Sequence, residues 1–150
     1  MAGLESVNLG VPKPYVGKGG RSGIDKMPAA GPVAVTVPGW GASGVAGDAI
    51  VDKPNHGGPD QAVYAYARED LEVWAAKLDR SIWAGFFGEN LTTVGVEVTG
   101  AVVGEVWRVG TVVLQVTSPR IPCATSAHRM GEPKWVKGSP PAARPEATCE

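Results

Sequence analysis

Glycine and proline interrupt this chain so often that few segments can form a long regular helix or strand. The 150 residues include 21 glycines and 13 prolines, about a fifth of the chain. Both residue types favour turns and end regular elements. This distribution predicts one mainly β domain, built from many short strands joined by tight turns, with a few short helices.

Alternating and β-branched segments predict the strands. Residues 4–9 alternate apolar and polar side chains, residues 33–37 are β-branched, and residues 62–66 are apolar enough for a buried strand. Residues 105–109 and 111–116 flank a single glycine and predict a hairpin.

Two segments predict helices. Residues 68–78 carry apolar side chains at i, i+3, i+4 and i+7, namely Leu71, Trp74, Ala75 and Leu78. Residues 124–130 predict a second, short helix. The loops at 11–32 and 54–60 are rich in glycine and proline, and long loops in compact domains often carry function.

Charge and cysteine content exclude several classes of protein. The formal net charge is −1, from 14 basic and 15 acidic side chains, which gives no electrostatic basis for binding nucleic acid or a membrane surface. No apolar run reaches the roughly 20 residues that cross a bilayer, and the N-terminus lacks a signal-peptide pattern, so we expect a cytoplasmic protein. Two cysteines are too few for a disulfide framework, and no paired Cys or His spacing predicts zinc.

Cys123 is the first candidate for chemistry, because it follows a predicted strand and stands between Pro122 and Ala124. Arg120 lies three residues upstream, and its positive charge favours the thiolate. A thiolate is a ligand for soft metals and a group that can carry sulfur. The alternative is a small buried apolar residue, which composition alone favours.

Two glycine-rich loops hold further candidates. His56 lies in one of them, where it can bind an oxyanion or donate a proton; the alternative is a polar loop residue. Lys26 follows a loop with Lys18 and Arg21 whose free backbone amides can cradle a phosphate. That loop lacks the Gly-Lys-Ser/Thr ending of a nucleotide-binding P-loop, and a solvated loop is the alternative.

Two polar residues complete the set. Asp60 can orient a basic partner, although a turn or helix cap is the commoner role. Asn90, in the turn Gly88-Glu89-Asn90, carries an amide that can both donate and accept hydrogen bonds to a ligand, while a simple turn is the alternative.

Five segments, taken in order, resemble a known family. They are Ser22-Gly23-Ile24-Asp25-Lys26, the run 55–63 with His56-Gly57-Gly58-Pro59-Asp60, the run 87–91 with Gly88-Glu89-Asn90, the run 104–110, and the run 116–123 that ends Pro119-Arg120-Ile121-Pro122-Cys123. Their order and spacing over residues 5–136 resemble the MOSC domain family, named after the C-terminal domain of molybdenum cofactor sulfurase. The resemblance is closest to the small bacterial branch linked to resistance against N-hydroxylated base analogues.

This resemblance implies a closed or nearly closed β-barrel with a few short helices over residues 1–137. It implies that Cys123 is the ligand of molybdenum in the molybdenum cofactor, or carries a persulfide. It also implies that Lys26, His56 and Arg120 lie near the cofactor phosphate or pterin, and that Asp60 and Asn90 are polar pocket positions.

The implied activity is reduction of a small N-hydroxylated substrate at molybdenum, with His56 as the expected proton donor. A separate redox partner protein is expected to supply electrons, because the chain has no nicotinamide or flavin signature. The alternative is a sulfur carrier or cofactor-binding module without turnover of its own, and a third hypothesis is a degraded paralogue that folds but binds nothing.

Two departures from the branch stand out. Position 61 is Gln where the branch commonly has Lys, which removes one pocket charge. The branch usually continues into a helical C-terminal region, whereas residues 138–150 here are rich in proline and alanine and are expected to be disordered. We interpret this as a truncated or altered terminus.

Overall fold

The computed structural model describes residues 1–16 and 19–131, and the backbone of one further strand at Pro145–Cys149. The fold is mainly β with two α-helices, α1 (Arg68–Leu78) and α2 (Ala124–Met130), and a single turn of 3₁₀ helix at Pro59–Gln61. The strands are β1 (Gly3–Gly10), β2 (Lys13–Pro14), β3 (Arg21–Ser22), β4 (Lys26–Pro28), β5 (Val63–Ala67), β6 (Leu91–Val94), β7 (Val106–Val109), β8 (Val112–Pro119) and β9 (Pro145–Cys149).

Seven strands form one sheet in the order β4-β1-β6-β5-β9-β8-β7, and β2 and β3 form a separate small hairpin. β5 and β6 run parallel, and every other neighbouring pair is antiparallel. Within the described ranges β4 and β7 lie at the two edges, so the sheet is open there. The mainly β class is therefore confirmed, while closure into a barrel is not observed and stays a prediction.

The central strand β5 separates two apolar clusters. All five of its residues are buried, and side chains alternate between the two faces of a strand. Ala65 belongs to a cluster on one face that also contains Val45, Leu91 and Leu114. Tyr66 belongs to the cluster on the other face, with Leu71, Phe86 and Phe87. A strand covered on both faces is expected to be apolar throughout, as this one is.

Both helices have the bounds predicted from the sequence. Leu71 of α1 is fully buried, and Trp74, Ala75 and Leu78 pack against the same cluster, as their spacing requires. Among the described residues, no helix combines the length and the apolar character needed to cross a membrane.

The predicted strand at 33–37 is wrong: only an isolated bridge between Val35 and Val45 forms. Two hydrogen bonds, from Thr36 N–H to the Gly44 carbonyl and from Ala46 N–H to the Ala34 carbonyl, flank that bridge. Prolines stand at both ends of this β-branched run, and proline cannot donate to a ladder. The pairing therefore stops after one step.

Strand β9 lies inside the segment predicted to be disordered. It pairs with both β5 and β8, with Ala147 opposite Val63 on one side and Val116 on the other. A strand in that position satisfies backbone groups of two neighbours at once. The remainder of the predicted tail, residues 138–144 and 150, lies outside the described residues.

Candidate functional site

A cavity of about 670 Å³ opens between the β2–β3 hairpin, the loop that precedes β5 and the start of α2. Its volume lies within the range of sites for small molecules. Five of the six predicted site residues line it: Lys26, His56, Asn90, Arg120 and Cys123. The fold therefore brings together side chains that are up to about a hundred positions apart in sequence.

Cys123 is a free, half-buried cysteine at the N-cap of α2, four residues after β8 ends at Pro119. Burial raises the pKa of its thiol, but hydrogen bonds from His56 and the Ser126 backbone, together with the charge of Arg120, outweigh that effect. The net result lowers the pKa of Cys123 from its ordinary 9.0 to about 6. At neutral pH the cavity therefore contains a thiolate, the form that binds metals and attacks electrophiles.

His56 lies between Cys123 and Arg120. The Nη1 atom of Arg120 is 2.9 Å from Nδ1 of His56. Because a guanidinium can only donate, this Nδ1 accepts, and the ring carries its proton on Nε2. That Nε2–H is the donor available for the hydrogen bond to Cys123. The Arg120 guanidinium lies 5.3 Å from the centroid of the Tyr64 ring, a cation–π contact that fixes its position.

Lys26 is 5% exposed, and its ammonium pairs with the buried carboxylate of Asp48 at 2.5 Å. Burial lowers the pKa of Lys26, and the charge and hydrogen bond of Asp48 oppose that change. Asp48 is not among the residues predicted from the sequence, because one aspartate in a glycine-rich segment is typical of a turn. The signal that could have identified it is the need of a buried lysine for a carboxylate partner.

Asn90 lies in the cavity wall, but its amide is engaged within the protein. Its Nδ2 donates to the Asn8 carbonyl at 3.3 Å and to Asp48 Oδ2 at 2.8 Å, while its Oδ1 accepts from Tyr64 N–H at 3.2 Å. Both amide protons are thus used. Asn90 supports the wall of the cavity, and the expected contact of its amide with a ligand stays a prediction.

Asp60 does not line this cavity. It is exposed in the 3₁₀ turn at Pro59–Gln61 and borders a second hollow of about 380 Å³, where its backbone carbonyl accepts a hydrogen bond from Thr117. Among the three residues of this turn, only Gln61 lines the first cavity. Gln61 also borders the second hollow. Asp60 therefore borders the second hollow in this structure, and its expected role as a polar pocket position stays a prediction.

Among the described residues, the cavity is lined by three basic side chains, one carboxylate, Asp52, and the Cys123 thiolate. Arg21 lines it along with Lys26 and Arg120, while Lys18, also predicted for this loop, lies outside the described residues. Within the described part of the chain, no three His, Cys, Asp or Glu side chains are grouped so that they could hold a metal ion. The basic side chains can bind an anionic group of a ligand, and the Cys123 thiolate can bind a second, electrophilic or metallic part of the same ligand.

Comparison with known proteins identifies the family of this chain. The family model described as "MOSC domain" matches residues 52–146, which include His56, Arg120 and Cys123. The chain belongs to the MOSC domain family. The resemblance of its sequence motifs to this family is thereby confirmed.

Relatives of this MOSC chain include bacterial and fungal proteins. It is 38% identical to YflK of Bacillus subtilis over 133 residues, which are 87% of this chain and 58% of YflK. It is 31% identical over 100 residues to a protein named "Reductase" from Gibberella moniliformis, covering 64% of this chain and 18% of that protein. The chain thus spans less than two thirds of the length of either relative.

The fold is also similar to that of solved MOSC relatives. The crystal structure of YiiM from Geobacillus stearothermophilus superposes with a TM-score of 0.74 at 29% identity, over 99% of this chain and 68% of YiiM. Together with YflK, this structure assigns the chain to the small bacterial branch of the family.

Proposed function

We propose that this MOSC protein binds a molybdenum cofactor in the cavity at Cys123 and reduces N-hydroxylated compounds. The observation that carries the proposal is the Cys123 thiolate, hydrogen-bonded to His56 in a cavity lined by Arg120 and Lys26. A soft thiolate suits molybdenum, and basic groups suit the phosphate of a pterin cofactor.

The residues present fit such a group. Cys123 offers one soft thiolate ligand for a metal, and Arg120, Lys26 and Arg21 offer donors for anionic groups of a cofactor.

Each residue then has a distinct role. Cys123 would hold the metal, and Arg120, Lys26 and Arg21 would hold anionic parts of the cofactor. The cofactor, when bound, supplies two-electron chemistry at the metal. His56 carries its proton on Nε2 and keeps Cys123 ionised, so we propose that it also delivers a proton in the cavity.

The proposed reaction converts an N–OH group to N–H and releases water, with two electrons and two protons consumed. A separate redox partner protein would supply the electrons. The relative named "Reductase" supports a reductive reaction for the family.

Activity of the loaded protein tests the proposal. Protein reconstituted with the cofactor and given a chemical reductant is expected to reduce an N-hydroxylated purine, and Cys123→Ala is expected to abolish that activity. A control substitution at the second cysteine, Cys149→Ala, is expected to retain it. Undiminished activity in Cys123→Ala would exclude Cys123 as the metal ligand.

The same thiolate supports a second candidate, a sulfur carrier without turnover of its own. A thiolate with a pKa of about 6 is ionised at neutral pH and can accept a sulfur atom from a persulfide donor. Intact-protein mass spectrometry separates the two functions. An added sulfur on Cys123 in protein that contains no molybdenum favours the carrier, and bound molybdenum without that adduct favours the reductase.

A further inference from the structure

Asp48 is a buried carboxylate that accepts four hydrogen bonds, each from a donor in a different segment of the chain. Its Oδ1 accepts from Gly10 N–H at 2.8 Å and from Lys26 Nζ at 2.5 Å. Its Oδ2 accepts from Ser43 Oγ at 2.9 Å and from Asn90 Nδ2 at 2.8 Å. The side chain of Asp48 has no exposed surface.

Three of these four donors line the cavity, namely Lys26, Ser43 and Asn90. Asp48 is not among the residues that line it. Asp48 therefore contacts the wall of the cavity from behind, and it is the common partner of three wall residues that are far apart in sequence.

The balance of charge around Lys26 depends on Asp48. A buried ammonium without a partner loses its proton, because desolvation disfavours the charged form. Arg120 repels that ammonium, and the buried carboxyl of Glu89 attracts it only through space. Asp48 alone among these groups combines opposite charge with a direct hydrogen bond to Lys26.

We propose that Asp48 is a positioning residue, which keeps Lys26 charged and fixed in the cavity wall so that it can hold an anionic group of a ligand. The chemistry of that ligand rests on the proposed function, but the coupling of Asp48 to Lys26 does not depend on it. The charge of Lys26 and its binding of a probe anion can therefore be measured on protein that contains no cofactor.

The first measurement is an NMR titration of the Lys26 amine in lysine-labelled, ligand-free protein, with Lys26→Met to assign the signal. In Asp48→Asn the pKa of Lys26 is expected to fall, because an adjacent opposite charge is lost. The matched control is Asp25→Asn, the same change at the neighbouring carboxylate, which pairs with Lys13 and Arg129. There the pKa of Lys26 is expected to stay unchanged.

A second variant keeps the test decisive if Asp48→Asn does not fold. In Asp48→Ser a small hydroxyl replaces the carboxylate and removes its charge, so the pKa of Lys26 is again expected to fall. An unchanged pKa of Lys26 in whichever of Asp48→Asn and Asp48→Ser folds would overturn the proposal.

The second measurement uses inorganic phosphate as the probe anion, titrated into ligand-free protein. Its Kd is expected to rise about tenfold in Asp48→Asn, which corresponds to about 1.4 kcal/mol, and to stay unchanged in Asp25→Asn. Absence of phosphate binding by the wild-type protein, or an equal Kd in Asp48→Asn, would contradict the role of Lys26 as an anion ligand. Absence of molybdenum from the purified wild-type protein would instead contradict the proposed function and leave the role of Asp48 unaffected.

Discussion

At the scale of single residues, the chemistry of Cys123 is determined by its neighbours. Burial alone would leave a neutral thiol, the small apolar residue that composition favours. His56, the Ser126 backbone and Arg120 reverse that outcome. Arg120 also determines the proton position on His56, because its guanidinium can only donate to Nδ1.

The acidity of Cys123 can be tested by its rate of alkylation with iodoacetamide. The rate is expected to rise with pH through a midpoint near 6 in the wild-type protein, since only the thiolate reacts. In His56→Ala the midpoint is expected to move up, because burial is then less well compensated. Peptide mass spectrometry restricts the measurement to Cys123.

His128 provides the control for that experiment. It lines the same cavity but packs edge-to-face on Tyr15, so His128→Ala is expected to leave the midpoint near 6. A midpoint in His56→Ala equal to that of the wild-type protein would show that His56 does not stabilise the thiolate.

Sequence motifs predicted which residues line the cavity better than they predicted what each residue does. Cys123, His56, Arg120 and Lys26 meet as expected. The engaged amide of Asn90 was not predictable, since its partners come from tertiary contacts with residues more than 25 positions away.

At the scale of elements, the turn before β6 is closed by a buried side chain. The Glu89 carboxylate accepts from Gly85 N–H at 2.6 Å, Phe87 N–H at 3.1 Å and Thr92 Oγ1 at 3.1 Å. Burial raises the pKa of Glu89 from its ordinary 4.5 to about 7, although these hydrogen bonds oppose the rise. The folded protein therefore binds a proton at Glu89 over a pH range in which the unfolded chain has released it.

This difference predicts that stability falls as pH rises from about 4.5 to about 7. At about 1.4 kcal/mol per pH unit, the full effect is about 3 kcal/mol. Urea unfolding at pH 5 and pH 6 is expected to show a decrease of about 1 kcal/mol in the free energy of unfolding, and Glu89→Gln is expected to remove that decrease.

Most of the pH range of that measurement lies below the titration of Cys123, whose effect has the opposite sign. The lowered pKa of Cys123 makes stability rise with pH between about 6 and 9.0. Glu97→Gln, at an exposed carboxylate that accepts from Gly100 N–H, is the matched control. If Glu89→Gln and the wild-type protein lose the same stability between pH 5 and pH 6, Glu89 is not the group that titrates.

Periodicity predicted the elements that depend on local pattern. The apolar residues of α1 lie on one face of the helix, as their spacing predicts, and that face packs against the cluster that contains Tyr66. The run at 33–37 has strand composition but gains only one bridge, because the prolines at its two ends cannot donate to a ladder. The pairing of Val35 with Val45 is a tertiary contact, which the run by itself does not predict.

At the scale of the whole molecule, the cavity is assembled from loops that the sheet holds together. β4 contributes Lys26, the segment after β8 contributes Arg120 and Cys123, and the loop before β5 contributes His56. The motif order predicted this assembly only through the family resemblance. Asp48 lay outside every motif, since its role depends on contacts among four distant segments.

Molybdenum analysis of the purified protein tests the central claim most directly. The protein would be expressed in a host that makes the cofactor, and its metal content measured by mass spectrometry beside that of Cys123→Ser, which replaces the soft sulfur ligand by oxygen. The wild-type protein is expected to contain stoichiometric molybdenum and the variant much less. Wild-type protein that folds and is purified without molybdenum would contradict the account.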